Sequence, residues 1–207
     1  MTLRHVPTGV TVRNVILVVE AFRLSNGAPL NPTGEQVVHD LGGVGDPEHG
    51  YLAGLPGKLY AKVNHDANGD GPTFFTDAAG ITFDTRIPAL ASDVTHYTFR
   101  VPEQGGEVGV RARVVYRRAW RALVDAKGWT EDGHGAPLED VAAPYFGHVM
   151  ASAEATIDVP PATGGSGDGG GGARGAGGAG QGNAAGTEGS DSGCDCMSGR
   201  RSASGDE

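Results

Sequence analysis

The sequence predicts a mainly β protein, an antiparallel β-sandwich of immunoglobulin-like type with one short helix and a Gly-rich C-terminal tail. Three observations predict it. Apolar and polar residues alternate with a period of two in several separate stretches, the pattern of strands with one buried face. Gly, Pro, Asn and Asp punctuate those stretches, as in folds built from turns between short strands. Beyond about residue 160 the composition changes, and 17 of the 47 residues from Pro161 to Glu207 are glycine. Such a segment buries too little apolar surface to offset the entropy of ordering it. The chain therefore divides into a sandwich domain over 1–160 and a disordered Gly/Ser/Ala-rich tail over 161–207.

The elements follow in order. Val10 to Phe22 carries a near-continuous apolar run centred on Val15-Ile16-Leu17-Val18-Val19, as expected of a central strand buried on both faces. Leu59, Ala61 and Val63 alternate with Lys58, Tyr60 and Lys62, and Ile81, Phe83 and Thr85 form a shorter strand. Tyr97, Phe99 and Val101 alternate with His96, Thr98 and Arg100. Val108, Val110, Ala112, Val114 and Tyr116 face away from Gly109, Arg111 and Arg113. Ala119, Trp120, Leu123 and Val124 recur at helical spacing, with Gly128 at the C-terminal cap position. The longest alternation runs from Val149 through Ala151, Ala153, Ala155 and Ile157 to Val159. The long loops 25–56 and 129–146 are the expected seats of function.

Composition narrows the function classes. With 207 residues, 38% hydrophobic and 6% aromatic, the chain can bury one core. A net charge of −9 and a pI near 5.2 argue against nucleic acid as a partner. No segment reaches the roughly 20 apolar residues of a membrane-spanning helix. Met1-Thr2-Leu3-Arg4 runs almost directly into strand pattern, so no signal peptide is expected within the chain. The cysteines, Cys194 and Cys196, sit in the tail and cannot staple the core. The chain has no Cys-x-x-Cys-His, so it holds no haem covalently.

Several strings together carry a resemblance: His5-Val6-Pro7-Thr8-Gly9-Val10, Leu55-Pro56-Gly57-Lys58, Phe83-Asp84-Thr85-Arg86-Ile87-Pro88-Ala89-Leu90, and Val114-Val115-Tyr116-Arg117-Arg118 leading to Asp125-Ala126-Lys127-Gly128-Trp129. Over residues 4–159 the chain resembles the C-terminal β-domain of exported multihaem c-type cytochromes of the cytochrome c554-like kind. The resemblance implies haems on an upstream domain against which the β-domain packs. It makes His5 a candidate axial ligand, supplied to haem c in trans or from an upstream region. It also implies a periplasmic or cell-surface location. Gly193-Cys194-Asp195-Cys196 is similar to the C-terminal surface-sorting signals of myxobacteria, in a degenerate form that lacks the apolar anchor.

Other residues have chemistry to offer. His65-Asp66-Ala67-Asn68-Gly69-Asp70-Gly71 contains Asp-x-Asn-x-Asp-Gly, and Asp77 is twelfth from Asp66. Asp66, Asn68, Asp70 and Asp77 are thus candidate calcium ligands; the same residues also suit a polar hairpin turn. Arg111, Arg113, Arg117, Arg118 and Arg121 cluster around the junction of strand and helix. They can meet haem propionates or an acidic surface, or pair with nearby carboxylates as a solvated face. His39, His49, His134 and His148 lack metal-site spacing and read as surface residues. No nucleophile elbow, phosphate loop or paired-carboxylate arrangement is present, so catalysis is not expected. The expected function is a haem-free accessory domain docking against haems carried by a cytochrome domain or subunit. The alternative is a free-standing, surface-tethered binding module stabilised by calcium.

Overall fold

The computed structural model describes residues 6, 7 and 10–162. Six strands and one helix are observed: β1 (Asn14–Arg23), β2 (Gly57–Tyr60), β3 (Lys62–His65), β4 (Gly80–Asp84), β5 (Gly106–Arg117), α1 (Arg121–Lys127) and β6 (His148–Val159). They form a four-stranded sheet in the order β2-β1-β5-β6 and a two-stranded sheet of β3 and β4, with every pair antiparallel. The arrangement is the mainly β, sandwich-like fold that the alternation predicts.

The layers are unequal. One face of the large sheet carries Ile16, Val18 and Leu59, which pack with Ala61 and Val63, with Phe83 of β4, and with Val38 and Leu52 from the loop after β1. Loop residues thus complete a layer that two short strands leave open. The stretch 58–63 does not run as one strand. At Ala61 the chain leaves the large sheet for the small one, and Thr85 bridges the break: its Oγ1 accepts from Ala61 N at 3.0 Å and donates to Leu59 O at 2.8 Å. Leu59 and Tyr60 are consecutive yet both buried, because β2 is covered on both faces.

The expected strand at 97–101 reduces to a single bridge, Pro32 to Phe99. Proline has no N–H to donate, so a ladder cannot extend through it. The helix is as expected and ends in a Schellman arrangement. Gly128 (φ 63°) donates to Asp125 O, and Trp129 N donates to Val124 O at 3.0 Å. Its apolar side, with Ala119, Trp120, Leu123 and Val124, packs on Val12, Leu41 and Val141.

Arg117, the last residue of β5, is 1% exposed and ties the two long loops to the sheet. Its guanidinium donates to Gly42 O (2.9 Å), Gly50 O (2.7 Å) and Phe146 O (2.7 Å). Burial pushes its pKa down to about 10, still far above neutrality, so the charge is retained and spread over three carbonyl dipoles. Gly50 is required here: at φ 82° a Cβ would fall 2.4 Å from the Phe146 ring.

Candidate functional site

The calcium candidates form a turn rather than an open cage. Asp66 Oδ1 accepts from Asn68 N and Asp70 N, both at 2.9 Å, while Asp66 N donates to Asp70 O. Gly69 closes the loop at φ 88°. Those amides, led by that of Asp70, hold the Asp66 carboxyl below the usual carboxylate range. Asp77 accepts instead from Thr76 Oγ1 at 2.9 Å. The same turn recurs at Asp132, whose Oδ1 accepts from His134 N (2.7 Å) and Ala136 N (3.0 Å), with Gly135 at φ 81°. Among the described residues no three His, Cys, Asp or Glu side chains come close enough together to hold a metal ion.

The arginine cluster is largely engaged within the chain. Arg111 pairs with Glu154 across the β5–β6 ladder, Arg113 with Glu20 at 2.9 Å, and Arg121 with Asp125 at 2.8 Å while stacking on Tyr51. With Arg117 buried against carbonyls, most of the cluster serves to hold the fold.

The chemistry lies on the other face of the large sheet. There Val110, Ala112, Val114 and Tyr116 of β5 are half-buried. Beside them run Ala151, Ala153, Ala155 and Ile157 of β6, all exposed, Ile157 by 51%. The alternation predicts a strand with its apolar row buried; instead β6 is an edge strand exposed along almost its whole length. A β-bulge explains part of the misreading. Val115 opposes Val149, but Val114 opposes Ala151, leaving Met150 as an extra residue. Val149 therefore turns with buried Val115 to the covered face, away from the row it heads in the sequence.

The bulge has a second consequence. His148, opposite Tyr116, lies on the same open face as Ala151 and Ala153, where strict alternation would separate them. At this end the face deepens into a cleft of about 490 Å³ lined by Val6, Pro7, Val15, Tyr116 and Met150, with Arg13 and His148 as its basic groups. His148 Nδ1 lies 2.9 Å from Glu139 Oε1. Since an ionised carboxylate only accepts, Nδ1 is the protonated nitrogen of the neutral ring and Nε2 keeps its lone pair. This pair was not legible in the spacing: Glu139 opens a 3-10 turn, Glu139–Val141, in a separate loop. Val6 and Pro7 belong to the His-x-Pro-Thr-Gly string; His5 itself lies outside the described residues, as do Cys194, Cys196 and the tail beyond Ala162.

No protein-family model and no curated protein matches the chain. Among solved structures it is similar to a penta-heme cytochrome c552 from Thermochromatium tepidum, at 23% identity and a TM-score of 0.46, over 74% of this chain and 33% of that one. The chain thus spans about a third of that cytochrome's length. A likeness this shallow fixes neither fold nor role. Among the described residues no helix is long and apolar enough to cross a membrane.

Proposed function

We propose that the chain is a non-catalytic, haem-free β-domain of a multihaem cytochrome-like electron-transfer system, laying its open sheet face against a haem-bearing domain or subunit outside the cytoplasm. One observation carries the reading: the aliphatic row Ala151, Ala153, Ala155 and Ile157 has the alternation of a buried strand, yet is exposed. Covering an isoleucine or methionine fully is worth about 1.5–3 kcal/mol, so a partner that does so gains both affinity and a dry boundary. A dry boundary beside a haem bears on its potential, which depends on solvent access and local dielectric. The haem-bearing nature of that partner is supported by the sequence resemblance, whose His5-Val6-Pro7 string adjoins the same face.

The test is purification of the tagged full chain from its native host, followed by haem staining of whatever accompanies it. The expected result is a haem-bearing polypeptide with the wild type, its loss in Ala153→Glu, and its retention in Thr156→Glu on the opposite side of β6. A wild-type preparation without haem, or equal retention by both variants, would refute the reading.

A further inference from the structure

We propose that His148, held by Glu139, is an axial ligand to the iron of a haem presented at the Tyr116–Met150 cleft. The inference rests on the docking reading above and assigns an atom to it. Three features point the same way. The carboxylate fixes the tautomer and rotation of the ring and raises the basicity of Nε2, the arrangement that recurs where histidine binds a metal. The β-bulge places the ring on the open aliphatic face rather than among the polar residues Ser152 and Glu154. The cleft beside it has apolar lining and an aromatic ring, suited to a macrocycle edge, and Arg13 supplies the positive charge that propionate carboxylates favour. Among the described residues the pair stands away from any third metal-binding side chain, so it does not complete a protein-only metal site. An iron already held by a porphyrin needs only one more nitrogen.

The step is a ligand exchange without electron transfer. The Nε2 lone pair displaces water from the iron's open axial position, the water leaves intact, and the proton stays on Nδ1 against Glu139. Glu139 is a positioning residue, acting through the ring.

The experiment titrates the full chain into a haem c peptide whose sixth position carries water, read by absorption and electron paramagnetic resonance. The wild type is expected to convert the ferric haem from high to low spin. His148→Ala is expected to lose that conversion, with free imidazole restoring it. Glu139→Gln is expected to weaken binding about tenfold while its unfolding midpoint stays unchanged. Conversion that survives in His148→Ala but vanishes in His5→Ala overturns the assignment and leaves docking intact. Absence of conversion in the wild type also overturns it, and the co-purification above then decides separately whether docking stands.

Discussion

The two faces of the four-stranded sheet are built from the same alternation and end differently. On one, Ile16, Val18, Leu59 and Val115 lie at 0–3% exposure beneath loops that Arg117 pins in place. On the other, the row from Ala151 to Ile157 is exposed although the chain has loops long enough to cover it. Alternation states that a face is fit for burial; it does not state what buries it. Where a chain supplies an anchored lid, the face becomes core, and where it supplies none, the face is available to a partner.

The comparison breaks most readily at the anchor. Arg117→Met leaves the Gly42, Gly50 and Phe146 carbonyls without their donor, and removal of one side of such a buried network costs about 3–5 kcal/mol. Urea unfolding is expected to show that loss, with hydrogen exchange rising in 39–52 and 139–147 ahead of the strands. A matched pair of truncations sharpens the contrast. Ile16→Ala, at 0% exposure, is expected to cost about 3 kcal/mol through lost burial and a residual cavity. Ile157→Ala, on the open row, is expected to stay within about 0.5 kcal/mol in the isolated chain. A large loss at Ile157 without a partner would mean that the row is covered by the chain itself.

Between these, Gly128→Ala tests a feature that belongs to neither face. A non-glycine residue at φ 63° is strained, and the cap of α1 is expected to lose about 1 kcal/mol, seen as a lower thermal midpoint.

What the sequence made legible was local. β1 and β5 declare themselves because their apolar residues recur within one strand, and α1 because Leu123, Val124 and the Gly128 cap are near neighbours. The stretch 97–101 alternates equally well but meets Pro32, a partner far away in sequence that cannot donate. The β6 bulge at Met150 carries no glycine or proline to announce it, so the sides taken by Val149 and His148 follow only from pairing with β5. The candidate site suffered for the same reason. The Glu139–His148 contact joins a loop to a strand, and Arg117 looked like one member of a basic patch because its three acceptors are backbone atoms.

The smallest effects distinguish the exposed turns from the covered side by the sign of their response to acid. Asp66 and Asp132 are held below the usual carboxylate range by backbone amides. A depressed folded pKa means stability that is complete above the unfolded value of roughly 3.9 and is lost as pH falls through the folded value. Asp140, under the loops beside Arg118, is instead raised by burial. It takes up its proton more readily when folded, so its contribution weakens as pH rises from the unfolded value through the folded one. Asn in place of Asp66 and Asp132 keeps an acceptor oxygen for the same amides. The double variant is therefore expected to match the wild type near neutrality and to flatten the acid limb of stability below about pH 4, measured by denaturant midpoints across pH. If the acid limb stays unchanged, the charge on the two turns does not contribute to it, and the response belongs to groups such as Asp84 and Asp93, which are lowered by Arg86 and Lys58.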